Sequence, residues 1–210
     1  MSARLYIADL RRLDEGARLP TGFPERYQRR LEHCPHAAGR RQLIGGALLL
    51  AAALGADIGA RLRYDERGKP YAESGPRFNL SHSGRLLALA VADAAVGVDI
   101  EQYRALDYLR LARRCFSAGE LELLEQAADK QAAFFALWTL RESYVKSRGL
   151  ALPWGNTCFE VYTDAARQPQ ARLNGCSFFR YQHIPGYALA LCLQADNAAP
   201  PVLQYIDVGA

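Results

Sequence analysis

The clearest alternation of hydrophobic and polar positions lies at residues 96–101. Apolar and polar side chains take turns along this segment, in the order Val96, Gly97, Val98, Asp99, Ile100, Glu101. Alternate residues of a strand point to opposite faces. The pattern therefore predicts a β-strand with one face in the core and an acidic opposite face. Upstream, residues 78–83 and 85–92, broken at Ser83-Gly84, predict a β-hairpin.

Three segments have helical patterns. Residues 39–56 carry apolar side chains on most faces, which predicts a buried helix. Arg40 and Arg41 in its first turn oppose the helix dipole, so they either mark an anion site or are two solvated arginines. A second helix is expected to begin at the capping box of residues 117–120. The third and longest is expected over residues 129–149.

Strand patterns return after Pro153. They cover four segments, residues 158–162, 171–173, 177–183 and 187–193. The apolar run that follows Gly186 resembles the run that follows Gly84, and a predicted buried helix precedes each of the two hairpins. These two similarities predict an α+β fold with two similar halves. The cleft between such halves is where a small ligand would bind.

The composition excludes disordered and fibrous classes, and we do not expect secretion. The chain has 210 residues, 50% hydrophobic and 23% charged, which is enough for a sizeable core. The N-terminus lacks an apolar stretch long enough for a signal peptide, and the longest apolar run, residues 43–56, is too short to cross a bilayer. Five cysteines without a C-x-x-C pair favour reduced thiols. We therefore expect a cytoplasmic protein that binds no membrane.

The net charge excludes few classes of binding partner. A net charge of +4 permits anionic partners in general. No basic stripe interleaved with aromatic residues is present, so nucleic acid is not expected as a partner. A metal site at His33, Cys34 and His36 is also not expected, because no second ligand pair stands at zinc spacing.

Two pairs of charged residues have the spacing of a metal and phosphate site. Asp99 and Glu101 share one face of a strand, within reach of one hard cation, although acids at a strand end are commonly solvated. Glu142 and Lys146 share one helical face, which is also the spacing of an ordinary surface salt bridge. Trp138 continues the same helical stripe. If the two pairs converge, three carboxylates and a lysine could hold Mg²⁺ and a phosphate.

Five motifs follow one another along the chain. They are G-K-P at 68–70, F-N-L-S-H-S-G at 78–84, V-G-V-D-I-E at 96–101, R-C-F-S at 114–117 with Glu120, and W-T-L-R-E-S-Y-V-K at 138–146. With order and spacing intact from about Pro24 to Cys192, they resemble the motifs of the 4'-phosphopantetheinyl transferases, in particular the longer Sfp-type branch. The resemblance implies a monomer with two similar α+β halves related by pseudo-twofold symmetry, residues 1–103 and 104–210, and coenzyme A in the cleft between them.

The resemblance also implies roles for individual residues. Asp99, Glu101 and Glu142 match the magnesium ligands of the family, and Lys146 matches its catalytic lysine near the pyrophosphate. The turn Gly68-Lys69-Pro70 matches the segment that cradles adenine. The other implied contacts of coenzyme A are four cations and one hydroxyl, namely Arg26, Arg29, Arg41, His82 and Ser81.

Three arginines stand where relatives often carry lysine. Arg26 and Arg29 keep the positive charge expected near the phosphate of coenzyme A but change the donor geometry. Arg141 directly precedes the glutamate implied to bind metal, and no direct chemical role is expected for it.

The implied reaction is the Mg²⁺-dependent transfer of the phosphopantetheine arm of coenzyme A to a serine of an apo acyl or peptidyl carrier protein, with release of 3',5'-ADP. Lys146 would hold or protonate the leaving phosphate, and either Glu142 or a metal-bound water would accept the serine proton. Carriers of fatty-acid, polyketide and non-ribosomal peptide synthesis are all open as partners.

Two other classes of function remain open from the residues. A magnesium-dependent phosphodiesterase or nuclease also uses clustered carboxylates and a lysine, but it would not account for the G-K-P and S-H-S segments. A non-catalytic protein that binds coenzyme A or nucleic acid is the third possibility. Product analysis separates the two enzyme classes, and binding without turnover would indicate the third.

Overall fold

A computed structural model describes residues 2–150, 159–164 and 168–209. It is an α+β protein. The helices are α1 Glu25–Glu32, α2 Ala37–Leu54, α3 Ile58–Arg61, α4 Tyr108–Cys115, α5 Ala118–Gln126 and α6 Lys130–Ser147. The strands of the first part of the chain are β1 Ala3–Asp9, β2 Leu62–Tyr64, β3 Pro70–Ala72, β4 Arg77–Ser83, β5 Leu86–Ala92 and β6 Val96–Gln102. Later strands are β7 Glu160–Thr163, β8 Pro169–Arg172, β9 Ser177–Tyr181, β10 Tyr187–Leu193 and β11 Leu203–Tyr205.

Besides the two-stranded pairs β2-β3 and β7-β8, the described residues form two larger sheets. The first has the order β11-β1-β5-β4, in which only β1 and β11 run parallel, with Leu5 opposite Leu203. The second has the order β6-β10-β9 and is antiparallel throughout. Apart from β11, the two sheets share one arrangement. In each sheet, the strand that comes first along the chain (β1 or β6) pairs with the strand that comes last (β5 or β10), and that last strand also pairs with the one before it (β4 or β9). Each sheet is accompanied by one helix of 18 residues, α2 or α6.

The central strands β5 and β10 are buried along their whole length. One face of β5, including Leu87 and Leu89, packs against Leu49 and other residues of α2. The opposite face shares a core with apolar side chains of β6 and β10. The remaining face of β10 packs against α6, where Ala190 contacts Leu140. The two sheets are therefore stacked face to face between α2 and α6, so α6 lies directly over β6.

Most predicted elements are confirmed. The predicted helix over 39–56, the hairpin and the helix over 129–149 correspond to α2, to β4 with β5, and to α6. The helix α2 is only partly buried, and it is as long as α6. The capping box is present, with Ser117 accepting from Glu120 N and Glu120 accepting from Ser117 N. The predicted strand at 158–162 corresponds to β7, which begins at Glu160, and Cys158 lies outside the described residues.

One expectation needs refinement. The strand β6 does place Val98 and Ile100 in the core, but its acidic face is covered by α6, and Asp99 is only 3% exposed. The predicted halves, residues 1–103 and 104–210, stay a prediction; β6 of the first range pairs with β10 of the second. Among the described helices, none is both long and apolar enough to span a bilayer.

Candidate active site

A ladder of side chains joins the two sheets between β4 and β6. Asn79, Ser81 and Ser83 alternate along β4, so their side chains share one face. Asn79 Oδ1 accepts from Val98 N at 2.8 Å, and Ser83 Oγ accepts from Gln102 N at 3.0 Å. The Ser81 hydroxyl lies 3.4 Å from the next such amide, Ile100 N. These side chains satisfy amides of β6 that have no strand partner on this side.

The same hydroxyls orient the two carboxylates of β6. Ser81 Oγ donates to Asp99 Oδ1 at 3.0 Å, and Ser83 Oγ donates to Glu101 Oε2 at 2.8 Å. Arg104 adds a longer contact of 3.2 Å to Glu101 Oε2. Each serine therefore anchors β6 through its backbone and fixes a carboxylate of β6. Both carboxylates are held on the face that α6 covers.

A close approach of α6 to β6 brings in a lysine. Gly97 makes the approach possible, because a Cβ at this position would overlap Ser143 O and Ser147 N on the backbone of α6. Lys146, one residue before Ser147, extends toward β4 and β6. Its Nζ donates to Asp99 Oδ1 at 2.5 Å and to Ser81 Oγ at 3.0 Å.

These side chains line one pocket. Its volume is about 320 Å³, and its walls come from β4, β6 and α6: Leu80, Ser81, His82, Asp99, Glu101, Trp138, Glu142 and Lys146. The helical residues of this set are four apart and form one stripe of α6. The structure thus brings together six residues singled out from the sequence. They are the three predicted metal ligands, Ser81, His82 and Lys146.

Burial and like charge dominate the electrostatics of the pocket. Burial raises the pKa of Asp99 to about 7, with Lys146 opposing the shift and Glu142 and Glu101 adding to it. Burial also raises the pKa of Glu142. The pKa of His82 is lowered, first by burial and then by the positive charges of Lys146 and Arg30. The pocket therefore holds more negative charge than Lys146 alone neutralises.

The donor set fits a hard cation. Asp99 Oδ2 is buried and has no hydrogen-bond partner, so one carboxylate oxygen is free to coordinate. Within the described ranges, no three His, Cys, Asp or Glu side chains stand close enough together to hold a metal ion as they are placed here. Asp99, Glu101 and Glu142 nevertheless share the pocket, and carboxylate oxygens are the ligands that Mg²⁺ prefers. Coordination by all three stays a prediction.

A larger cavity lies beside the same helix. Its volume is about 970 Å³. Its lining includes Lys69 of the turn between β2 and β3, Pro70 at the start of β3, and Arg148 at the end of α6. Lys69 Nζ donates to Lys146 O. The predicted adenine segment, Gly68-Lys69-Pro70, is therefore in contact with the helix that carries the pocket lysine.

The other predicted cations lie outside the small pocket. Arg26 stacks on the Tyr64 ring, 4.4 Å from its centre, and its guanidinium lies near Gly68. Arg29 forms an exposed ion pair with Glu25 at 2.6 Å. Arg41 Nη2 donates to the carbonyl oxygens of Leu10 and Leu13, at 2.7 and 2.6 Å.

Arg40 and Arg41, which the sequence placed at an anion site or in solvent, both bind backbone carbonyls. Arg40 Nη1 donates to Leu31 O at 2.6 Å. The two cations at the start of α2 therefore also tie this helix to neighbouring segments. Neither of them lines the pocket of Asp99 and Lys146.

Comparison with known proteins gives a consistent result. A sequence model of the 4'-phosphopantetheinyl transferase superfamily matches residues 95–192, which include β6 and α6. A 4'-phosphopantetheinyl transferase of Bacillus subtilis is 33% identical over 165 residues, which are 72% of this chain and 73% of that protein. The chain belongs to the 4'-phosphopantetheinyl transferase superfamily. The 4'-phosphopantetheinyl transferase psf-1 of Bacillus pumilus is 38% identical over 143 residues, 64% of this chain and 61% of that protein.

Coverage of other superfamily members is partial. The transferase Sfp of Bacillus subtilis strain 168 is 33% identical over 141 residues, 63% of this chain and 62% of that protein. HetI of Nostoc is 40% identical over 124 residues, 52% of each chain. The chain thus spans between about half and three fifths of the length of these relatives.

Part of the candidate site was not predicted from the sequence. Asn79 and Ser83 were noted as motif letters and not as functional residues, although they fix β6 and Glu101. A pattern in the sequence could have identified them: polar side chains at every second position of β4 share one face and need hydrogen-bond partners there. Arg30, near enough to His82 to affect its pKa, had no distinguishing pattern.

Proposed function

We propose that this protein transfers the 4'-phosphopantetheine arm of coenzyme A to a serine of an apo acyl or peptidyl carrier protein and releases 3',5'-ADP. One observation carries the proposal: Asp99, Glu101, Glu142 and Lys146, from two distant segments, line a single pocket. Superfamily membership makes this reaction the one to test first. We further propose that the protein acts in the cytoplasm as a monomer, without nucleic acid or membrane as a partner.

The nucleotide part of coenzyme A would lie in the larger cavity beside α6, which Lys69 and Pro70 line. Gly68-Lys69-Pro70 would contact the adenine, and Ser81 and His82 the phosphates. Arg26 supports this placement, because its guanidinium lies next to Gly68. Arg29 could meet the 3'-phosphate only by leaving its exposed pair with Glu25, which costs little at the surface. Arg41 would have to share its guanidinium with the two carbonyls it binds.

Asp99, Glu101 and Glu142 would hold Mg²⁺. The unpartnered Oδ2 of Asp99 and the raised pKa of this carboxyl both indicate that a cation bound here would be stabilised. Bound there, the cation would neutralise charge on the pyrophosphate of coenzyme A. The serines of β4 contribute by keeping the carboxylates of β6 in fixed rotamers.

Bond making and breaking would proceed in one displacement. The serine oxygen of the carrier forms a bond to the phosphorus that bears the pantetheine arm, while the bond from that phosphorus to the oxygen of 3',5'-ADP breaks. Either Glu142 or a water molecule would accept the serine proton. Lys146 would hold the leaving phosphate, since its ammonium group is already directed into the pocket.

A panel of apo carriers tests the function. The protein would be incubated with coenzyme A, Mg²⁺ and carriers of fatty-acid, polyketide and non-ribosomal peptide synthesis, and each carrier would be analysed by intact mass spectrometry. We expect at least one carrier to gain a phosphopantetheine arm and an equal amount of 3',5'-ADP to appear. Hydrolysis of coenzyme A without carrier modification would indicate a phosphodiesterase. Binding of coenzyme A without any product would indicate a non-catalytic protein.

A further inference from the structure

The turn between β2 and β3 is attached to the C-terminal end of α6. Lys69 Nζ donates to Lys146 O, and Arg67 Nη1 donates to Gly149 O at 2.9 Å. The last carbonyl groups of a helix have no partner within the helix and form the negative end of its dipole. Two cations of the turn therefore meet the end of α6 where positive charge is most favourable.

The turn has a defined conformation that presents these cations. Asp65 Oδ1 accepts from Arg67 N at 3.0 Å and from Lys69 N at 2.8 Å. Gly68 N donates to Asp65 O at 2.9 Å, and Gly68 has a φ of +82°. Only glycine adopts such a φ without strain. The position of the two cations is thus set by the backbone of the turn.

Both the backbone carbonyl and the side-chain ammonium of Lys146 form hydrogen bonds. Its carbonyl oxygen accepts from Lys69 and from Gly149 N, the latter at 3.2 Å. Its ammonium group donates to Asp99 and Ser81 in the pocket. Lys69 itself is half-buried, and burial lowers its pKa. A half-buried ammonium that donates to a helix carbonyl has less freedom to follow a ligand than a surface lysine has.

We propose that Lys69 is a positioning residue, which fixes the last turn of α6 and so the reach of Lys146 into the pocket. This inference rests on the proposed transferase function. It refines the role proposed above for the segment: Gly68 and Pro70 would supply the contact with adenine, while Lys69 acts on the helix through Lys146 O. The two roles make different predictions, because loss of a ligand contact weakens binding, whereas misplacement of Lys146 slows the chemical step.

Steady-state kinetics of matched variants separate the two roles. For Lys69→Met we expect kcat to fall about tenfold while the KM for coenzyme A stays within about twofold. Lys69→Arg keeps the charge and should restore most of kcat. Arg63→Met is the control, since Arg63 lies on the neighbouring strand β2, is exposed and pairs with Glu73. A raised KM with unchanged kcat, or wild-type values of both constants, would overturn the proposal.

Amide hydrogen exchange gives a second readout that does not need turnover. The amides of Arg148, Gly149 and Leu150 close the end of α6. We expect them to exchange about three- to tenfold faster in Lys69→Met than in the wild type or in Arg63→Met. Arg67→Gln, which removes the neighbouring contact, should give a smaller change in the same direction and serves if Lys69→Met does not fold.

The two readouts also separate this inference from the proposed function. If the wild type modifies no carrier, the transferase proposal fails, while the exchange rates still report on the contact between the turn and the helix. If the wild type modifies carriers and Lys69→Met has unchanged exchange at the end of α6, the positioning role alone is contradicted.

Discussion

Gly97 of β6 lies directly against the backbone of Ser143 on α6. A Cβ at this position would overlap the carbonyl oxygen of Ser143. The absence of a side chain on Gly97 is therefore what allows the helix with Glu142 and Lys146 to lie over the strand with Asp99. The distance between strand and helix decides whether the carboxylates and the lysine share one pocket.

Substitution Gly97→Ala should separate this strand and helix. Because backbone atoms cannot rotate out of the way, we expect a loss of about 3 kcal/mol or more in the free energy of unfolding. Chemical denaturation measures this loss. Gly119→Ala is the matched control, since a Cβ there would meet nothing within 4 Å. Equal stability of the two variants would contradict the close approach.

Substitution Arg141→Ala should damage stability more than chemistry. Arg141 Nη1 forms an ion pair with Glu120 Oε2 at 2.7 Å, and the two side chains are only 5% and 2% exposed. Removal of one partner leaves a buried charge, so we expect a loss of about 3–5 kcal/mol in the free energy of unfolding.

The catalytic rate per folded molecule should stay close to the wild-type rate, because Arg141 is not among the residues that line the pocket. Exposed Arg113 provides the control, Arg113→Ala, which should match the wild type in both measurements. If Arg141→Ala keeps the wild-type free energy of unfolding but loses most of its kcat, Arg141 acts in the reaction itself and the prediction is wrong.

Acid stability should depend on Asp9. Burial acts to raise its pKa, but hydrogen bonds from Arg11 and Arg85 outweigh burial and lower the pKa to about 2. A lowered pKa stabilises the folded state above the unfolded value of 3.8, and the contribution disappears as the pH falls through about 2. Because its partners Arg11 and Arg85 are partly exposed to solvent, which screens the interaction, we expect Asp9→Asn to lose only about 1 kcal/mol of unfolding free energy at neutral pH.

The difference between Asp9→Asn and the wild type should shrink between about pH 4 and pH 2. Urea unfolding at a series of pH values measures it. Asp14→Asn, at an exposed position of the segment that follows β1, is the control and should follow the wild type throughout. A difference that does not depend on pH would mean that the ionised carboxylate is not the stabilising group.

Elements with strong local patterns could be predicted from the sequence. The alternation in β6 and the caps at Ser117 and Asp129 depend only on neighbouring residues, and all three are present in the structure. The strands β1 and β11 were not predicted. They pair Leu5 with Leu203, at opposite ends of the chain, so no local pattern reports their pairing.

The candidate site could be predicted in part for the same reason. Motif spacing named Asp99, Glu142 and Lys146, but it could not show that Asp99 is buried beneath α6. That burial depends on the approach of α6 at Gly97, and the two segments are too far apart in the chain for a local pattern to show it. The contact of Lys69 with α6 joins residues that are distant in the chain and becomes visible only in three dimensions.

The most direct test of the site is the dependence of carrier modification on Mg²⁺ in the wild type and in Asp99→Asn. The substitution keeps the size of the side chain but removes the charge of the most deeply buried carboxylate in the pocket. We predict that wild-type transfer rises with Mg²⁺ to saturation and stops when EDTA is added, and that Asp99→Asn gives no transfer at any Mg²⁺ concentration. Transfer that persists in EDTA, or an Asp99→Asn variant as active as the wild type, would contradict a shared cation at Asp99, Glu101 and Glu142.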